Sequence, residues 1–250
     1  MPKNITLEIC ASSAMSALAA QQGGAQRVEL CENLVQAGTT PSYGQIAIAR
    51  KLLDIKLYVL IRPRSGDFLY SDDEFDIMIA DVQNCVNLGC DGIVTGILNR
   101  DGSIDKKRSG RLVDMARDAG LGATFHRAFD VCSNYSQALE DIIDLGFERV
   151  LTSGGQITAI EGMSTINHLV KQSAGRIGIM AGSGVNAHNV ADLIRITGVT
   201  EVHTSARKQV SSAMAYHNNH ITMGNHKNDL YGYDQTDASA VAEVLKAARV

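Results

Sequence analysis

No basic run, and no basic stripe interleaved with aromatic residues, occurs anywhere in this sequence, which argues against a nucleic-acid partner. No apolar run approaches the roughly 20 residues needed to cross a bilayer, so no membrane partner is expected. No CxxC pair is present, and the five cysteines are an odd number. Met1-Pro2-Lys3-Asn4 leads straight into a strand pattern without the apolar segment of an export signal. Together these absences predict a cytoplasmic protein with reduced thiols. Charge of one sign is also scarce, with 23 basic and 27 acidic side chains and a formal net charge of -4. Tryptophan is missing and proline occurs three times, but neither restricts the fold. What is there is a chain of 250 residues, 45% hydrophobic, large enough for one sizeable core and the usual size of a single α/β barrel.

Strand and helix patterns alternate from end to end. The expected pairs are Thr6–Cys10 with Ser13–Gln22, Arg27–Cys31 with Ser42–Leu53, and Leu57–Arg62 with Asp72–Leu88. Ser71 and Glu74 stand in capping-box spacing before the third helix. Gly92–Gly96 with Lys106–Ala119 and Gly122–His126 with Tyr135–Leu145 follow, then Arg149–Ser153 with Ile157–Ala174. Ile177–Ala181 with Ala187–Ile196 and Glu201–Ser205 with Ala238–Ala248 complete eight. Alternating units of this kind imply a parallel sheet with right-handed crossovers, and eight of them imply a closed (β/α)8 TIM barrel as a single domain over 1–250. An open doubly wound sheet is the rival. It would carry a glycine-rich first turn, whereas this turn reads Cys10-Ala11-Ser12-Ser13, and its central strands would be more apolar than these.

The loops after the strands at 32–41, 63–71 and 96–105 are long, and the connection 206–236 is the longest. It carries Tyr216, His217, His220, His226, Tyr231 and Tyr233 and reads as a lid or a contact in a homo-oligomer. The histidines lack the i,i+4 spacing of a helical zinc site and read as solvated. In such barrels the side carrying these loops holds function.

Alternation along each strand turns a set of polar groups toward the barrel interior. These are Glu8 and Cys10, Glu29 and Cys31, Arg62, His126, Thr152, and the row Glu201, His203 and Ser205. Glu8, Glu29, His126 and His203 could supply an acid and a base, with Arg62 as an anion clamp. The competing reading is an ion network that satisfies itself and fills the barrel. Gly182-Ser183-Gly184 after strand seven, with Thr152, Ser205, Arg62 and Arg64, suggests a cradle for a phosphate or carboxylate, against the plainer reading of tight turns. Cys10 and Cys31 end adjacent strands, about 4.8 Å apart in such a sheet. Their sulfurs could hold Cu(I) or Zn with a nearby histidine, or simply be small buried hydrophobes. Cys85 and Cys90 fall on the opposite side of the barrel, and Cys132 just past strand five.

Leu7-Glu8-Ile9-Cys10, Arg27-Val28-Glu29-Leu30-Cys31, Gly38-Thr39-Thr40-Pro41-Ser42 and Ile61-Arg62-Pro63-Arg64 resemble the CutC copper-homeostasis family. So do Gly66-Asp67-Phe68, Val94-Thr95-Gly96, Thr124–Asp130, Val150–Gly154, Ala181–Val185, Glu201-Val202-His203 and the late stretch Asp237–Ala242. The resemblance runs in register over nearly the whole chain. It implies a (β/α)8 barrel in the cytoplasm with a role in copper handling, copper on Cys10 and Cys31, and catalysis, if any, at the polar barrel mouth. Many members carry a further cysteine at the position of Ala11, which would remove one thiol from a copper site here.

Two functions therefore stand side by side. In one, Cys10 and Cys31, with His126, bind Cu(I). In the other, Arg62, Arg64, Gly182, Gly184, Thr152 and Ser205 bind a small anionic metabolite while Glu8, Glu29, His126 or His203 move protons.

Overall fold

The structure is a computed structural model that describes residues 5–218, 220–221 and 231–249. Eight parallel strands close into a barrel. They are β1 (Thr6–Ala11), β2 (Arg27–Leu30), β3 (Lys56–Leu60), β4 (Gly92–Thr95), β5 (Gly122–Phe125), β6 (Arg149–Thr152), β7 (Gly178–Gly182) and β8 (Glu201–Thr204). The helices between and after them are α1 (Ala14–Gln22), α2 (Tyr43–Leu52), α3 (Asp72–Asn87), α4 (Lys106–Asp118), α5 (Tyr135–Asp144), α6 (Met163–Ser173), α7 (Val190–Thr197) and α8 (Ala238–Ala247). Closure is made by β1 against β8, with Glu8 opposite His203. On the other edge of β1, Cys10 stands opposite Glu29 of β2.

Two layers of side chains result from the strand alternation. Leu7 and Ile9 of β1, Val28 and Leu30 of β2, Phe125 of β5 and Val202 of β8 face the helices and are buried in the main apolar core. The other face turns inward and carries the polar set. The helices start where the sequence supplies caps. Ser71 accepts the Glu74 N–H at the head of α3 while the Glu74 carboxylate accepts the Ser71 N–H, which is the expected capping box. Gly198 ends α7 in the left-handed region, φ 81°, where a side chain would be strained.

The expected sixth helix starts too early at Ile157. Residues 157–162 form turns, in which the Glu161 carboxylate accepts bonds from the Thr158 N–H and hydroxyl. The helix begins at Met163 because Gly162 packs with bare Cα atoms against Ser153 and Gly154, a contact that any Cβ would break.

The long connection after β8 opens with an antiparallel ribbon of β9 (Arg207–Ser211) and β10 (Gly232–Thr236). Thr236 donates its N–H to the Ser16 hydroxyl of α1, which ties the ribbon to the first helix. His226, singled out in the sequence, lies outside the described residues.

Among the described residues, no helix is long and apolar enough to cross a membrane.

Candidate functional site

The barrel interior is filled from the bottom by charge. Arg27 of β2 donates to both Glu8 of β1 and Glu201 of β8. Arg149 of β6 reaches Glu201 at 3.1 Å, Thr124 at 3.0 Å and Glu148 at 3.0 Å. The two guanidinium groups flank the Tyr58 ring, their carbons 5.4 Å and 5.0 Å from its centroid. Arg27 shares its strand face with Glu29, and Arg149 shares its face with Leu151. The same period-2 rule that found Glu8 could have found both arginines.

Above this layer His203 links two carboxylates. Its Nδ1 lies 2.8 Å from Glu8 Oε1, and its Nε2 lies 3.6 Å from Glu29 Oε2. Burial alone would keep the imidazole neutral. Hydrogen bonding to Cys10 and Glu8 and the charge of Glu29 overcome that and hold its pKa well above the usual histidine value. Burial likewise pushes Glu8 up, but the Arg27 charge and the His203 bond outweigh it and leave the carboxyl at about 2. At Glu29 burial, helped by the nearby Glu8 charge, outweighs the opposing charges of His203 and Arg27 and raises the carboxyl. Burial and charge thus push the two carboxyls in opposite directions, Glu8 down and Glu29 up, the pattern by which environment separates acid and base roles.

The cavity over His203 has a volume of about 180 Å³. Cys10, Glu29, Cys31 and His203 line one side, and Arg62, His126, Arg127 and Phe68 also line it, with Leu34, Leu60 and Leu151 among the apolar contributors. Four of the five ionisable residues expected at the mouth, Glu29, Arg62, His126 and His203, are therefore together. Glu8 is the exception, fully buried one layer down and bound to Arg27 and His203.

The sulfurs of Cys10 and Cys31 lie 3.3 Å apart. A Glu29 carboxylate oxygen completes a set of three donor atoms within 4.8 Å of one another. The hydrogen bond with Cys31, and then burial, raise the Cys10 thiol pKa well above normal. His126 is not in this set. Ala11 lies on the opposite face of β1, inside the barrel-to-helix core, so a cysteine at that position would not join the cavity. Its absence leaves the inward thiol pair intact.

His126 is held by its own backbone. Nδ1 accepts the Ala128 N–H at 3.2 Å, which leaves the proton on Nε2, and Nε2 has no partner among the described residues. Burial, and then the Arg62 charge, lower its pKa to about 3, so the ring is neutral. Gly96 makes room for it, since a Cβ there would sit 2.6 Å from Nδ1. Phe68 and Leu34 stand in loops, which carry no periodic signal of orientation, and a glycine at the end of a strand carries no side chain to orient.

The expected anion cradle does not assemble. The Arg62 guanidinium donates to the carbonyls of Gln36 at 3.0 Å, Gly38 at 2.5 Å and Gly66 at 2.8 Å, so most of its donors brace loops. Arg64 is turned to Glu74 and to the carbonyls of Ser65, Asp67 and Leu69, outside the cavity lining. The Thr152 hydroxyl donates to Asp130 at 2.5 Å. At Gly182 a Cβ would strike Leu151 and His203, and at Gly184, φ 71°, it would crowd Thr158. These two glycines serve packing and a turn. The Ser205 hydroxyl accepts from Arg207. None of Arg64, Thr152, Gly182, Gly184 or Ser205 lines the cavity. The described part of 206–236 does not line it either.

A family model described as the CutC family matches residues 5–208. A CutC family protein from Chromobacterium violaceum is 48% identical over 241 residues, covering 96% of this chain and 97% of that one. One from Bacteroides fragilis is 48% identical over 223 residues, with 89% and 88% coverage. The crystal structure of CutC from Streptococcus agalactiae, a protein named for copper homeostasis, superposes with a TM-score of 0.76 at 38% identity, covering 80% of this chain and 98% of that chain. Thiamine phosphate pyrophosphorylase from Pyrococcus furiosus shares the fold alone, with a TM-score of 0.60 at 14% identity and coverage of 98% and 96%.

Proposed function

The chain belongs to the CutC family, and from that premise we propose that it serves copper homeostasis by taking Cu(I) as cargo on Cys10 and Cys31. The observation that carries the reading is the 3.3 Å approach of two buried thiols on a cavity wall. Soft thiolates favour Cu(I) over harder cations. With thiolate–metal bonds of roughly 2.3 Å, sulfurs at this separation can share one ion in a bent arrangement. Glu29 stands close enough to both to add an oxygen donor or to receive a displaced thiol proton.

Loading the ion must displace the thiol protons, and the raised Cys10 pKa makes that step costly at low pH. The raised pKa of His203 favours its charged form beside the pair, which offsets the charge of the thiolates that form. A thiol pair this close would oxidise outside a reducing compartment, which supports a cytoplasmic location.

The test is a Cu(I) titration under reducing conditions with a competing chelator. Wild type should bind one Cu(I), and Cys10→Ser with Cys31→Ser should lose it while keeping the fold, because a hydroxyl is a hard, weakly acidic substitute. Tight one-to-one binding that survives both changes would overturn the reading.

A further inference from the structure

Two residues that line the cavity, Arg62 and His126, each carry a side-chain nitrogen without a hydrogen-bond partner among the described residues. Arg62 is 3% exposed, and its Nε–H has no partner. Its other donors go to backbone carbonyls, which do not cancel its charge, and among the described residues no carboxylate lies within ion-pair distance of it. His126 is 5% exposed, and its Nε2–H is also unpartnered. A buried guanidinium without a counter-ion and a buried imidazole donor without an acceptor are each costly to hold. Both line the same cavity.

From these two unpaired donors we infer that the cavity is a binding site for a small carboxylate, held by the Arg62 Nε–H and the His126 Nε2–H. Two donors suit the two oxygens of a planar carboxylate. A phosphate would need more, and the backbone nest after β6 that could serve one is filled by Asp130. The rest of the ligand is apolar and short. Leu34, Leu60 and Phe68 supply the wall it packs against. The volume of about 180 Å³ is close to that of a cavity of roughly 150 Å³ that takes benzene, so the ligand has about six to ten non-hydrogen atoms. This site shares the cavity with the thiols but uses neither of them.

The test is calorimetric titration of the copper-free full chain with straight-chain carboxylates from acetate to hexanoate, and separately with inorganic phosphate. The imidazole ¹⁵N signals are followed in the same samples. The expected result is one saturable carboxylate site that shifts the His126 Nε2 resonance, with affinity rising up to about fourfold per added methylene. His126→Phe keeps a ring against Phe68 but removes the donor, and should weaken binding about tenfold. Leu34→Trp should exclude the longer chains by filling the cavity. Cu(I) binding is titrated separately on the same wild-type protein, so that carboxylate binding without Cu(I) binding overturns the copper reading alone, and Cu(I) binding without carboxylate binding overturns this one alone. No saturable binding of any carboxylate by wild type would overturn the inference. So would binding unchanged in His126→Phe, or phosphate binding as tight as that of the best carboxylate.

Discussion

Both carboxylate oxygens of Asp130 lie 3.0 Å from the backbone nitrogen of Ser153. One of them also takes the Thr152 hydroxyl and the Gly155 N–H, and the other takes the Ser153 hydroxyl and Arg127 Nε. The protein thus fills, with its own anion, the glycine-rich nest at the end of β6. The carboxylate site inferred above uses Arg62 and His126 instead.

Asp130→Ala should therefore cost about 2–4 kcal/mol, because it strands buried backbone donors, the Thr152 hydroxyl and the Arg127 charge. Urea denaturation measures this. Millimolar phosphate or sulfate should restore part of the loss in the variant and do little for wild type. A variant as stable as wild type would show that the nest is not held by Asp130.

Arg27→Met should destabilise the apo protein by about 3–5 kcal/mol, the usual cost of leaving buried carboxylates without their cation. Glu8 and Glu201 both lose a donor in this change. The midpoint of guanidinium unfolding reads it out, and a shift of less than half a kcal/mol would mean that water enters to replace the guanidinium.

Stability should fall on the acid side through His126. Its folded pKa is lowered to about 3 from an ordinary value near 6.5, so between those limits the unfolded chain binds a proton that the folded chain refuses. The contribution is fully present above pH ~6.5 and shrinks as pH drops toward ~3, by up to about 4–5 kcal/mol. His126→Phe should flatten this part of the stability–pH curve. An unchanged slope in the variant would assign it to other groups.

Gly96→Ala should push the His126 ring out of place, because the new Cβ would fall 2.6 Å from Nδ1 and 2.7 Å from Cε1. Overpacking of this kind costs about 1–3 kcal/mol. The thermal midpoint should drop, and the His126 imidazole ¹⁵N signals should move even without any ligand. A variant with unshifted signals would mean that the β4 loop yields instead.

The sequence by itself determined the eightfold alternation, and with it the barrel, since a period of two and a period near 3.6 are set by local backbone geometry. It also determined which face of β1, β2 and β8 turns inward, and so brought Glu8, Glu29, Cys10, Cys31 and His203 to the interior. The capping box of Ser71 and Glu74 was legible for the same reason, being local. Only the tertiary structure decided the pairings. Glu8 and His203 are 195 residues apart and meet because the last strand closes on the first. Arg64 goes to Glu74, Thr152 to Asp130 and most of Arg62 to loop carbonyls, which removed them from the expected cradle. Side chains at strand ends and in loops choose partners by distance in three dimensions, and no periodicity along the chain encodes that choice. The unpaired Nε2 of His126 and Nε of Arg62 could be found only after every nearer acceptor had been placed.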